Sequence, residues 1–207
     1  MNYENLFAEK IENILGSKDP AHDVLHVKRV VAAAKKMALQ ENAEMKIIIP
    51  AAWLHDLVNL PKDHPDRKKA SLLAADAAIE FLKSVQYPEK YFTGIHHAIC
   101  AHSFSAGITP ETIEAKIVQD ADRLDALGAI GLARLFTVGS QLGRPFYSDV
   151  DPFALNRPLD DKVYGIDHIH IKLKQIAGSM NTASASKEAI SRFKFIEDFL
   201  DELKKEI

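Results

Sequence analysis

Cysteine is nearly missing: Cys100 is the only one in 207 residues. A lone thiol excludes an intrachain disulfide, which fits a reducing compartment. Also missing is any apolar run approaching the ~18 residues of a membrane span. Met1 to Leu15 interrupts its apolar positions with Glu4, Glu9, Lys10 and Glu12, so no secretory leader is expected there. Neither sign of charge is in excess. Against 26 Lys and Arg stand 29 Asp and Glu, a formal net charge of −3 with a pI near 6.3. That balance argues against general binding of nucleic-acid polymers or anionic membranes, and a phosphate-bearing ligand would need a local cluster of Lys and Arg. The expected location is the cytoplasm.

The chain also lacks internal repeats, low-complexity tracts and Gly/Ser linkers, and no stretch alternates with the period of a strand. What remains is a helical period, with 47% hydrophobic and 27% charged residues, enough for a full core. A first helix is expected over about Tyr3 to Leu15, ending at Gly16. Asp19-Pro20 reads as a cap followed by proline at the first helical position, opening a helix to about Gln40. The next spans about Ala43 to Leu60, with Pro50 kinking it or marking its true start. Others cover about Pro65 to Val85 and Pro88 to Ser103. Thr109-Pro110-Glu111 opens a long one through Phe136. From Gly139 to Asp161 glycines and prolines break the period over more than twenty residues, a length typical of functional lids or mobile loops. Two last helices follow, about Asp161 to Ile176 and Ser184 to Glu206, the latter expected to bury Ile190, Phe193, Ile196, Phe199 and Leu203. The fold class expected is all-α: one domain, 1–207, a bundle of about eight helices.

Chemistry enters at Trp53-Leu54-His55-Asp56, where a His and an Asp close an apolar run that begins at Ile47. An unpaired carboxylate in a core costs several kcal/mol or neutralises, so a buried Asp asks for a cation. A divalent metal meets that demand, since imidazole and carboxylate both suit Mn, Fe, Zn or Co. Asp23, His26 and Arg29 follow at successive spacings of three, so His26 and Arg29 share a helix face. Asp120-Ala121-Asp122-Arg123-Leu124-Asp125 places acids beside the apolar stripe of Ile117, Ala121, Leu124 and Gly128. Taken alone, a helix His is a partly buried hydrogen-bonded residue, and an acidic run is a solvated face. Together, His26, His55, Asp56 and Asp122 supply two imidazoles and two carboxylates, a ligand set that leaves positions open for water and substrate.

With those residues in order, the chain resembles the HD-domain superfamily of metal-dependent phosphohydrolases, whose motif is H…HD…D on an all-helical scaffold. It looks closest to the small stand-alone bacterial members, with counterparts also at His102-Ser103-Phe104-Ser105, at Gly128-Ala-Ile-Gly131-Leu-Ala-Arg134 and in a late His-rich helix. The resemblance implies hydrolysis of a phosphate ester or anhydride of a small metabolite, a nucleotide foremost, by a nucleoside triphosphate pyrophosphohydrolase or a nucleotidase. It implies a divalent cofactor, manganese preferred, with magnesium, cobalt or nickel as alternatives. A homodimer is compatible with the sequence.

Asp56 would bind the ion and orient a water. Related nucleotidases often carry a carboxylate one turn after the HD pair; here Asn59 stands there and cannot take a proton, leaving Asp63 as the candidate base. For the phosphates, Arg29 offers a bidentate fork, joined by Lys62, Arg123 and His102 as a closing donor. Lys162 and Lys172 would reach substrate if the irregular segment folds over the site. The late helix reads His168-Ile-His170-Ile-Lys172-Leu where relatives often have His-Phe-Tyr-Glu-Lys-Leu, so no role of that Glu carries over. Two other functions stand beside this one. Asn59 favours a non-catalytic nucleotide-binding or sensing module, and His96, His97 and His102 raise a dinuclear cyclic-nucleotide phosphodiesterase.

Overall fold

Helices make up the regular structure, and no strand occurs among the described residues. The computed structural model describes residues 2–15, 23–58, 60, 64, 66–103 and 106–207. They fall into two units, Met1–Asp122 and Arg123–Ile207. None of their helices is long and apolar enough to cross a membrane.

The first unit contains α1 (Tyr3–Leu15), α2 (Val24–Glu41), α3 (Met45–Leu54), α4 (Ala70–Ser84) and α5 (Phe92–His102), and takes in most of α6 (Ile113–Leu124). Helix α2 opens where the Asp23 carboxylate accepts the His26 backbone N–H at 2.8 Å, a side-chain cap on an otherwise orphan donor. The expected opening at Asp19-Pro20 lies outside the described residues. Val27, Val30, Val31, Ala34, Met37 and Ala38 form the buried stripe of α2, and Asn42 ends it in the left-handed conformation at φ 60°. Helix α3 is buried from Pro50 to Leu54 and stops six residues short of the expected end. The His55 ring binds the Ala52 carbonyl at 2.8 Å, competing for the acceptor that a further helical turn would use. Helix α5 ends in the same way, with the His102 ring 2.6 Å from the Ile99 carbonyl.

The long helix expected through Phe136 is two helices. Helix α6 gives way to α7 (Gly128–Gln141) at Gly128, whose φ of 71° suits glycine, and a Cβ on Gly131 would overlap the Ala126 carbonyl. The second unit holds α7, α8 (Lys174–Ala177) and α9 (Ala183–Glu206). Instead of a regular helix from Asp161 there is a π-helical turn, Ile169–Leu173, leading into the short α8. On α9 the buried residues are Ala185, Ala189, Ile196 and Leu200, while Ile190 is exposed, contrary to the expected stripe. Arg192, on a different face of α9, donates to the Leu124 carbonyl at 2.7 Å.

The irregular segment is braced from within. Asp151 accepts the backbone N–H groups of Leu155, Asn156 and Arg157. Arg157 forks onto the buried Asp167 at 2.6 and 2.9 Å, and Asp167 also accepts the Asp160 N–H at 2.7 Å.

Candidate metal centre

Four helices of the first unit bring polar side chains to one place. His26 comes from the first turn of α2, His55 and Asp56 from just beyond α3, His102 from the last residue of α5 and Asp122 from α6. Ligand atoms of His26, His55 and Asp56 all lie within 4.8 Å of one another. His55 Nε2 is 3.6 Å and His26 Nε2 is 4.0 Å from Asp56 Oδ2. Asp122 approaches from the His26 side, its Oδ1 3.5 Å from His26 Nε2. His102 approaches from the other side, its Nε2 3.7 Å from Asp56 Oδ1. The His55 ring stands 5.5 Å from that of His26 and 4.9 Å from that of His102, edge to face in both cases. All three imidazoles are buried, whereas Asp56 keeps 19% and Asp122 31% of its side chain exposed, so the cluster opens on the carboxylate side.

The tautomers follow from the backbone. A carbonyl only accepts, so the nitrogen of His55 that faces Ala52 O must carry the proton. Burial holds the His55 imidazole below its ordinary range, hence neutral, and its Nε2 carries a lone pair. That Nε2 is buried, meets no hydrogen-bond donor among the described residues, and faces a carboxylate oxygen. Two acceptors turned toward each other in a buried site fit a cation, and two imidazoles with two carboxylates are a donor set for a divalent transition ion. Burial pushes the Asp56 carboxyl up, but the hydrogen-bonded His102 imidazole outweighs it and holds the carboxyl well below the usual carboxylate range. For His102, burial pulls down and the facing Asp56 carboxylate outweighs it, leaving the imidazole above its ordinary value.

Other expected residues lie elsewhere or serve elsewhere. Arg29 sits half-buried one turn after His26 on α2. Arg123 donates to the Ser179 carbonyl at 2.7 Å within the second unit. Asp125 is paired with Arg134 at 2.5 Å. His96 binds Asp76 at 3.0 Å and His97 accepts the Glu111 N–H at 3.0 Å, so neither adjacent histidine joins the cluster. His168 is 3.0 Å from Asp161, and Lys162 gives its carbonyl to Arg144, both within the second unit. Asn59, Lys62, Asp63, Phe104 and Ser105 lie outside the described residues. His102, expected as a phosphate donor or among the extra histidines of a dinuclear site, stands against Asp56.

The HD domain family profile matches residues 24–127, a span that runs from the start of α2 past Asp122. The Bacillus subtilis protein YpgQ is 31% identical over 209 residues, covering 95% of this chain and 90% of that one. A crystal structure of an HD-superfamily hydrolase from Bacillus thuringiensis superposes with a TM-score of 0.77 at 32% identity, over 99% of this chain and 96% of the other. The crystal structure of YpgQ in complex with ADP superposes with a TM-score of 0.75 at 28% identity, over 99% and 94% of the two chains.

Proposed function

The chain belongs to the HD domain family, and from that membership we propose that it is a divalent-metal-dependent phosphohydrolase whose ion is held by His26, His55, Asp56 and Asp122. The observation that carries this is the buried Nε2 of His55, a lone pair facing the Asp56 carboxylate with no proton between them. Manganese is the preferred ion, with magnesium, cobalt and nickel next. A bound divalent ion lowers the pKa of water from ~15.7 to about 7–9 and withdraws charge from a phosphoryl oxygen.

The chain's own residues do the rest. His55 and His102 are locked by the Ala52 and Ile99 carbonyls, so their rings need no reorientation during turnover. Asp56 is the natural acceptor to orient a water, because its carboxyl lies well below the usual carboxylate range beside the His102 imidazole and reaches solvent. Asp63 is assigned the water's proton, and Asn59 orients the same water. Arg29, Lys62, His102 and Arg123 are assigned to the phosphates. Arg29 carries the larger share, since Arg123 is already engaged with Ser179.

The substrate class is a small phosphorylated metabolite, with nucleotides first: a nucleoside triphosphate cut to monophosphate and pyrophosphate, or a nucleotide losing phosphate. The ADP complex of the relative YpgQ supports a nucleotide. Relatives that match 95 to 99% of the chain support treating 1–207 as one functional domain.

The test is a panel of nucleotides with each ion, using metal-stripped protein and reading phosphate and pyrophosphate separately. Turnover that needs the added ion and disappears in His55→Ala is expected. Full activity of that variant in metal-depleted buffer would refute the proposal.

A further inference from the structure

Pro50 lies inside α3, the helix that delivers His55 and Asp56. Proline has no N–H, so the Lys46 carbonyl one turn earlier loses its helical donor, and the ring crowds that carbonyl. A kink at such a position points the following turn in a new direction. Here only Ala51 to Leu54 separate the proline from the HD pair.

The Lys46 carbonyl is not left bare. The Tyr87 hydroxyl donates to it at 2.8 Å, across forty-one residues of sequence. Tyr87 is held firmly. Gln86 closes α4 in the left-handed conformation at φ 57°, the Gln86 N–H binds the Lys83 carbonyl at 3.0 Å, and the Tyr87 N–H binds the Leu82 carbonyl at 2.9 Å. This paired closure fixes where the chain leaves the helix. The Tyr87 ring then packs 4.8 Å from Tyr3 and 5.9 Å from Phe7, and is 7% exposed. Burial pushes the phenol up to about 12, so the hydroxyl remains a donor at any physiological pH.

We propose that Tyr87 is a positioning residue for the HD pair, its hydroxyl standing in for the N–H that Pro50 lacks and so setting the angle at which α3 presents His55 and Asp56. Ligand geometry tolerates only about 0.5 Å of error, so a loosened kink is felt at the ion. The effect on the ion rests on the metal-centre proposal; the effect on the orientation of His55 does not.

The test is a double-mutant cycle between Tyr87→Phe and Pro50→Ala, read by manganese affinity on protein shown to be folded. Tyr87→Phe should weaken manganese binding about tenfold, the scale of a lost outer hydrogen bond at a metal site. In the Pro50→Ala background the backbone N–H at position 50 supplies the Lys46 carbonyl, and the same change should cost less than about twofold. Equal losses in both backgrounds, or no loss in either, overturn the proposal. A second readout is the nitrogen NMR spectrum of the His55 ring in metal-free protein, which also decides the matter if Pro50→Ala does not fold. Tyr87→Phe should move the His55 ring signals, and an unchanged spectrum overturns the proposal. If the parent protein takes up no manganese, the metal-centre proposal fails, while the His55 spectrum still decides the part played by Tyr87.

Discussion

Two carboxylates of this protein are held in place by neighbours, one in each unit, and they are satisfied in opposite ways. Asp167 accepts a bidentate Arg157 and the Asp160 N–H, so donors point at its oxygens. Asp56 faces three imidazole Nε2 atoms, and for His55 the backbone has already taken the ring proton on the far side. The first arrangement is complete as it stands and braces an irregular segment. The second sets one acceptor, the His55 Nε2, against another, the Asp56 carboxylate, and that pair is completed by a cation. Burial alone therefore does not mark a functional acid; the identity of the atoms that face it does.

Breaking the second arrangement should have the largest effect. His55→Ala or Asp56→Ala should lower turnover at least about a thousandfold and abolish tight manganese binding, with far-UV circular dichroism unchanged. Stripping the ion with a chelator should match that loss, and added manganese should reverse it in the parent protein only. Breaking the first arrangement should instead act on stability. Asp167→Asn should cost about 2 kcal/mol in urea unfolding, because a charged acceptor of several hydrogen bonds is lost.

The pH dependence of that loss has a fixed sign. Burial pushes the Asp167 carboxyl up, but Arg157 and the Asp160 N–H outweigh it, so its folded value lies below the ordinary 3.8. The stabilisation is therefore present above 3.8 and disappears as the pH falls through the folded value. Parent and Asp167→Asn stabilities should converge in strong acid, and a gap that persists there would contradict the ion-pair explanation.

Smaller effects sharpen the contrast among the histidines. His102→Gln removes the ring that faces Asp56 Oδ1 and should weaken manganese binding about tenfold. His96→Ala, on the same helix, should leave affinity within about twofold, since His96 pairs with Asp76 and stands outside the cluster.

Much of the helical architecture could be read in the chain beforehand, because the apolar period and the proline and glycine breaks are local signals. The four ligand candidates could also be read, once the HD pair was treated as a cost needing a cation. What could not be read depends on which polar group or neighbour each residue meets once the chain has folded. The early end of α3 comes from the His55 ring turning back onto the Ala52 carbonyl, a competition that residue type does not reveal. At the break between α6 and α7, Gly128 has a φ of 71° and Gly131 lies close against the Ala126 carbonyl. Ile190 fits a helical stripe by spacing, yet it stands exposed while α9 buries Ala185, Ala189, Ile196 and Leu200.

The most direct test is titration of manganese into metal-stripped protein, followed by electron paramagnetic resonance. Binding stoichiometric with the chain, with nitrogen couplings from imidazole that are lost in His55→Ala, is the predicted result. Absence of binding, or a spectrum that the variant leaves unchanged, would contradict the metal centre on which the hydrolase proposal stands.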